Sequence, residues 1–250
     1  MTAAAARARA RPVVTLTTDF GPGSPYVAAI KAVVLAGCPE ATLVDISHTA
    51  SAPHLDSAAF VLWAGTRDFG AGSVHLAVVD PGVGTGRRPV AVQLGESFWV
   101  APDNGLLSVV LRESAGLEPV AVELRRPEGA APTFEGRDVF APAAAALAAG
   151  QALRGLGEPA ERLIRLDERE PRVVWVDGFG NLVTSLKPPV AGVKVGPVSV
   201  RRSARTYGEV PPGEIFFYTG SVGFVEIGVR EGRADVLLAA QPGTPVQPLP

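Results

Sequence analysis

The chain has 250 residues, 47% hydrophobic and 19% charged, with a formal net charge of −2; this builds one large domain or two smaller ones and excludes a disordered chain. No basic block or basic–aromatic interleaving occurs, which excludes a nucleic-acid partner. One cysteine, Cys38, excludes internal disulfides and a multi-cysteine zinc site, and no apolar run approaches the roughly 18 residues of a membrane span. Cys38 lies in an apolar stretch and reads as a small buried hydrophobe, so the expected compartment is the reducing cytosol. Residues 1–11 alternate alanine and arginine without an apolar stretch, which predicts a flexible basic tail rather than a signal peptide.

Taken in chain order, Val13–Leu16 reads as a β-branched strand ending in Thr17-Thr18-Asp19-Phe20-Gly21. Ser24-Pro25 reads as the cap and first position of a helix that stops near Gly37. Leu43–Ile46 is a second strand. A helix over Pro53–Gly65 follows, with apolar Leu55, Ala58, Ala59, Leu62 and Trp63. Val74–Val79 is a third strand. This strand–helix alternation predicts an α/β N-terminal domain with a mostly parallel sheet covered on both faces. Pro89–Val92 and Phe98–Ala101 add strands, and a helix starts near Phe140 or Ala141 and runs to Ala149. Residues 155–171 turn polar and interrupted and read as a linker. Beyond it come Val173–Val176, Asn181–Leu186, Val193–Val195, Pro197–Val200, Ile215–Tyr218, Phe224–Ile227 and Asp235–Leu238. These short strand-like runs, separated by turns, predict a smaller all-β, barrel-like domain. The expected domains are 12–165 and 171–240.

The third strand ends abruptly at Asp80, and Pro81, three alternating glycines and Arg87-Arg88 follow. The turn brings Arg87 back toward Asp80 at the carboxyl end of a strand, where open α/β sheets place their sites. The same residues also suit a tight turn with a solvated ion pair. There is no phosphate-binding G-x-x-x-x-G-K-[ST] loop, no dinucleotide fingerprint, no nucleophile elbow and no H-E-x-x-H. His75 reads as core, and His48 as a local hydrogen-bonding residue. No metal site is expected.

Five strand-end segments stand out. They are Thr17–Gly21, Asp80–Arg87, Pro102-Asp103-Asn104-Gly105, Thr133-Phe134-Glu135-Gly136-Arg137-Asp138 and Asp177-Gly178-Phe179-Gly180-Asn181. In this order they resemble the S-adenosyl-L-methionine (SAM) hydroxide adenosyltransferases, the SAM hydrolases related to the fluorinase and chlorinase. The resemblance runs from about Val13 to Leu238. It implies hydrolysis of SAM to adenosine and L-methionine, no cofactor, and a homotrimer with the ligand between one subunit's N-domain and its neighbour's C-domain. Asp19 matches the residue that holds the ribose hydroxyls, a task suited to a carboxylate; a turn cap is its alternative role. Asp80 and Arg87 match two members of a catalytic Asp–Arg–His set. The Asp80 carboxylate would repel a halide and so favours water as nucleophile. Phe134 falls in the substrate-binding set. Phe179 and Asn181 match a motif that packs on and contacts adenosine, and Asp177 matches an acid near the methionine end; Asp-Gly and Gly-Asn also make good turns. Ser221 matches a contact to the methionine carboxylate. Glu226 and the backbone around Val229 match the adenine-binding strand, although Glu226 on an alternating strand can equally face solvent. Glu135 stands where the resemblance calls for histidine. A glutamate accepts from water or pairs with Arg87, and two adjacent carboxylates can share a proton. A SAM- or adenosine-binding protein with little turnover and a halogenating enzyme are the competing functions.

Overall fold

The structure, a computed structural model, describes residues 11–50, 54–167 and 170–250. Apart from Arg11, the expected basic tail lies outside the described residues, as does Pro53 at the expected start of the second helix. In chain order the elements are β1 (Val13–Thr18), α1 (Pro25–Gly37), β2 (Thr42–Ser47), α2 (Leu55–Thr66), β3 (Val74–Val78), β4 (Pro89–Leu94), β5 (Ser97–Pro102), α3 (Ser108–Glu113), β6 (Val120–Leu124), α4 (Ala141–Ala148), β7 (Gly157–Pro159), β8 (Val173–Val176), β9 (Leu182–Thr184), β10 (Gly192–Val195), β11 (Val198–Val200), β12 (Ile215–Thr219), β13 (Val225–Val229), α5 (Ala234–Leu237) and β14 (Val246–Leu249). They group into two compact units. Among the described residues, the first comprises those up to Ala50 and Gly65–Arg165, and the second His54–Ala64 and those from Leu166 to Pro250.

The first unit is built on a seven-stranded sheet, ordered β2-β1-β3-β5-β4-β6-β7. The β1–β2, β1–β3 and β3–β5 pairs are parallel, whereas β4 pairs antiparallel with β5 and β6, and β7 with β6. Five strands, β2, β1, β3, β5 and β6, therefore run the same way, and their carboxyl ends share one edge. One row across the sheet, Leu16, Leu76, Val100, Ala91 and Val122, is buried under α1 and α4. Helix α1 starts as its cap predicts: Ser24 Oγ accepts from the Tyr26 amide at 3.3 Å, and Pro25 follows,. Val27, Ile30 and Val34 then fall on one buried face,. Burying a side chain such as Ile30 contributes about 1.5–3 kcal/mol. The alanines of α4 let the two helices approach closely; a Cβ on Gly37 would stand 2.8 Å from that of Ala145. The opposite face of the sheet holds the row Thr15, His75 and Trp99, with Thr15 Oγ1 2.9 Å from His75 Nδ1. His75 is 1% exposed, as its place inside a strand predicts.

Three elements of this unit escape the sequence patterns: α3, β6 and β7. Strand β7 grows out of the polar stretch after residue 155 and pairs with β6. Its Gly157 lies so close that a Cβ would meet the Glu123 carbonyl.

The second unit holds two sheets, β12-β13-β9-β8 and β11-β10-β14, around a core that includes Val173, Leu182, Val193, Phe217 and Ile227. From α2, Phe60 and Trp63 pack against Phe224, with ring centroids 5.8 and 5.5 Å apart. Asp56 pairs with Arg172 at 2.9 Å. Strand β14 has no counterpart in the sequence patterns. The expected strand over Asp235–Leu238 is instead the helix α5. The Leu238 amide bonds the Ala234 carbonyl at 2.9 Å, and the Asp235 carboxylate accepts from the Val236 amide at 2.8 Å. Local hydrogen bonding by an aspartate outcompetes a strand that has no partner ladder, and Val236 and Leu237 stay 72% and 58% exposed.

Candidate active site

The register of the parallel strands sets the site. Thr18 on β1 stands opposite Val78 on β3, so Asp19 and Asp80 leave the same edge side by side. The Asp80 backbone N–H donates to the Asp19 carboxylate. Burial raises the Asp19 carboxyl above the usual carboxylate range; its own amide and that of Asp80 oppose the shift, and the Asp80 charge adds to it,. Asn104, after β5, donates to the Val79 carbonyl at 3.0 Å and accepts from the Leu106 amide at 3.1 Å, bracing the strand end that carries Asp80. Asp103 is engaged by Arg88 at 2.5 Å and the Ile164 amide at 2.8 Å, so that acid is scaffold.

The turn after Asp80 curls back on itself. The Val83 amide bonds the Asp80 carbonyl at 3.2 Å, and Thr85 bonds the Gly82 carbonyl through its amide and its hydroxyl. Gly84 takes a φ of +79°, which a side chain would resist,. The result is a bidentate pair: Arg87 Nε donates to Asp80 Oδ1 at 2.9 Å and Nη2 to Asp80 Oδ2,. Arg87 Nη2 also lies 2.5 Å from Glu135 Oε2. The Asp80, Arg87 and Glu135 side chains are 6%, 8% and 6% exposed, so this is not the solvated pair that the turn alone allows. The Arg87 guanidinium lies 5.3 Å over the Phe140 ring, and its Nη1 is buried without a hydrogen-bond partner among the described residues. Burial lowers the Arg87 pKa, but the hydrogen bond and charge of Asp80, and then those of Glu135, more than reverse this and hold it charged.

Glu135 is aimed by a tight local structure. It precedes a single turn of wide helix, Gly136–Phe140, in which the Ala141 amide reaches back to the Gly136 carbonyl,. Gly136 has no room for a side chain: a Cβ would meet Ile30 at 3.2 Å and Phe20 and Val78 at 3.4 Å. Phe134 forms an edge-on cluster with Tyr26 and Phe20, at centroid distances of 5.0 and 6.1 Å. A residue absent from the sequence reading completes the group. Arg126 donates from Nε to Glu135 Oε1 at 2.5 Å and from Nη2 to the Arg87 carbonyl at 2.8 Å. Arg87 Nη2 reaches both Asp80 and Glu135, so a guanidinium joins the two acids. Two carboxylates and two guanidiniums balance. The signal for Arg126 was available in principle, because a buried acid in place of a histidine calls for a cation. Nothing in the sequence singles out this arginine among its neighbours, however.

In the second unit, Asp177 organises its own turn. Its Oδ1 accepts from the amides of Phe179 and Asn181 at 2.8 and 2.9 Å, and its Oδ2 from the Asn181 side-chain amide at 2.7 Å,. Asn181 is 5% exposed and Phe179 79%. Asn181 also bonds Tyr207, whose hydroxyl lies 2.8 Å from that of Tyr218. Tyr218 stands opposite Glu226 across the β12–β13 ladder and bonds its carboxylate. Glu226 is thus half-buried and tied down rather than free in solvent. Burial pushes its carboxyl up and the Asp177 charge adds to this, while the Tyr218 bond opposes it. Glu226 folds over Gly220, where a Cβ would collide with its carboxylate. Ser221 sits exposed in the following turn, which the Gly220 amide closes on the Phe224 carbonyl at 2.8 Å. The Val229 side chain is buried in the core, and its carbonyl accepts from the Gly232 amide at 3.3 Å. Asp19, Asp80, Arg87 and Glu135 are therefore assembled in the first unit, with Phe134 beside them. Asp177, Asn181 and Glu226 are joined in the second through two tyrosines that sequence reading does not single out.

Family models of the SAM hydroxide adenosyltransferase N-terminal and C-terminal domains match residues 14–157 and 171–247. The chain belongs to the SAM hydroxide adenosyltransferase family. An (R)-S-adenosyl-L-methionine hydrolase of Thermus thermophilus is 44% identical to it, covering 95% of this chain and 99% of the relative. One from Salinispora arenicola is 39% identical over 93% of this chain and 95% of its own length. The crystal structure of an uncharacterized conserved protein from Thermotoga maritima superposes with a TM-score of 0.86 at 32% identity, covering 94% of this chain and 99% of that one.

Proposed function

We propose that this protein hydrolyses SAM to adenosine and L-methionine. The observation that carries the proposal is the buried Asp80–Arg87–Glu135 cluster at the carboxyl edge of the sheet, in a member of a family whose relatives bear the hydrolase name. Water attacks C5′ in line with the sulfonium. The new C5′–O bond forms as the C5′–S bond breaks, the electron pair stays on sulfur as a neutral thioether, and one proton is released. The protein's task is then to align water and to stabilise charge where it develops. Both oxygens of Asp80 already accept from Arg87, yet each carboxylate oxygen has about two acceptor positions. One therefore remains for water. Asp19 holds the ribose hydroxyls and Phe134 packs nearby. Asn181, Phe179, Glu226 and the Val229 backbone take the adenosine, and Asp177 and Ser221 take the methionine end.

Incubating the pure protein with SAM in ¹⁸O-water tests this. Adenosine carrying the label, with methionine, is the expected result; unchanged SAM refutes hydrolysis, and 5′-halo-adenosine formed with added halide would mark a halogenating enzyme. One observation favours a second reading, a SAM-binding protein with little turnover: guanidiniums engage Glu135 on both oxygens. Heat of SAM binding without products would establish it.

The catalytic residues, with Asp19 and Phe134, fall in one unit and the other binding residues in the second, and the family resemblance implies a homotrimer with the site shared between subunits. The finer proposal is therefore that Asp80→Ala and Asn181→Ala proteins, each inactive alone, regain activity when unfolded and refolded together. The departing thioether needs no Lewis acid or electron carrier, so activity should survive a chelator. Among the described residues no helix is long and apolar enough to cross a membrane. A cytosolic protein with no membrane or nucleic-acid partner is the accompanying reading.

A further inference from the structure

Arg126 has no role in the family pattern read from the sequence, yet it makes two contacts that matter to the cluster. It donates from Nε to Glu135 Oε1 at 2.5 Å and from Nη2 to the Arg87 backbone carbonyl at 2.8 Å. It enters from the loop after β6, whereas Glu135 precedes the wide helical turn and Arg87 ends the glycine turn after β3. Its side chain is 38% exposed, whereas those of Glu135 and Arg87 are 6% and 8% exposed. One oxygen of Glu135 faces Arg87 and the other faces Arg126.

We propose that Arg126 is a positioning residue for hydrolysis, the cation that lets a glutamate serve where the family pattern has a histidine. The physical reason is a charge count. A histidine at position 135 beside the Asp80–Arg87 pair would add no negative charge. A glutamate adds one, in a site that excludes most water, and an unmatched buried carboxylate either takes up a proton or turns away. The groups facing Glu135 are Arg87, with Asp80 bound to it, and Arg126; Asp19 lies beyond, on the Asp80 amide. Arg137, on the same turn as Glu135, is committed to Asp138. Without Arg126, two or three acids would share one guanidinium. With it, Glu135 has a matching cation and its Oε1 is held by a hydrogen bond while Oε2 lies against Arg87, and the second Arg126 contact fixes the backbone that carries Arg87. Arg126 acts through Glu135 and Arg87 and is not assigned a contact to substrate.

The inference rests on the hydrolase reading, and its test separates the two. Arg126→Gln is expected to lower kcat roughly 10- to 100-fold, the scale of a misplaced catalytic group, with KM within about twofold because no substrate contact is lost. In an Arg126→Ala protein, dilute guanidinium should restore part of the rate and urea should not, because the site of the lost side chain is open to solvent. In a Glu135→Gln background, Arg126→Gln should cost little more. A wild-type kcat in Arg126→Gln overturns the proposal, as does an equal loss in both backgrounds. If the unaltered protein releases no adenosine from SAM, the hydrolase reading fails on its own. The Arg126–Glu135 dependence is then read from thermal melts of the four proteins, and strictly additive Tm shifts overturn it.

Discussion

Replacing Asp80 with alanine removes the group assigned to the attacking water, and the structure sets the size of two separable effects. The first is catalytic. A single preorganised electrostatic group is worth about 10²–10³ in kcat, or about 2.7–4 kcal/mol of transition-state stabilisation. Asp80 is assigned to the developing charge rather than to overall binding, so the loss should fall on kcat with KM little changed. The second effect is on stability. Arg87 is 8% exposed and donates twice to Asp80. Breaking a buried pair from one side typically costs about 3–5 kcal/mol. Here Glu135 remains beside Arg87 as a counter-charge, which puts the cost at the lower end, about 3 kcal/mol. At about 2–4 °C per kcal/mol for a chain of this size, that is a Tm lower by about 6–12 °C. Asp80→Asn keeps the shape and one acceptor and should melt closer to the parent while remaining slow. Adenosine release by chromatography, SAM binding by calorimetry and the melt are read on the same samples. An Asp80→Ala protein that folds, binds SAM and turns it over at the parent rate would refute the assignment of water to this carboxylate.

Glu135→Ala should slow hydrolysis and Glu135→His should retain or raise it; parent activity of Glu135→Ala at every pH would reduce Glu135 to a rim residue. For the parent, the rate should fall as pH drops, because acid removes the carboxylate form that accepts from water. Stability carries a separate pH signature from His75, which burial lowers to about 4 from an ordinary value of 6.5. The unfolded chain binds this proton first as pH falls. The contribution is therefore fully present above pH 6.5 and drains away between pH 6.5 and about 4, amounting to about 3 kcal/mol,. His75→Gln should flatten denaturant midpoints across that window; an unchanged slope would show that His75 does not set it.

Local chemistry wrote much of this molecule into the chain. Ser24-Pro25 starts α1, Val74–Val79 makes a buried strand, and the Asp80–Arg87 turn closes on itself, because caps, periodicity and glycine turns act within a few residues. Asp235–Leu238 failed for the same kind of reason: its aspartate satisfied nearby amides before any strand could. Strand β7 was unreadable because a three-residue polar strand exists only where β6 offers it an edge. The candidate site divides in the same way. Asp19 and Asp80 were legible as acids at strand ends, whereas Glu135, expected at a strand end, instead precedes the wide helical turn Gly136–Phe140. That Arg87 joins two of them in a dry cluster was decided by packing between segments far apart in sequence, whereas Arg126 reaches Glu135, and Tyr218 stands opposite Glu226, across a loop and a hairpin whose shape only the fold sets. Charge pairing has no fixed spacing and so leaves no local pattern, since any of several arginines could be the partner until the fold brings one of them within about 3 Å of the acid.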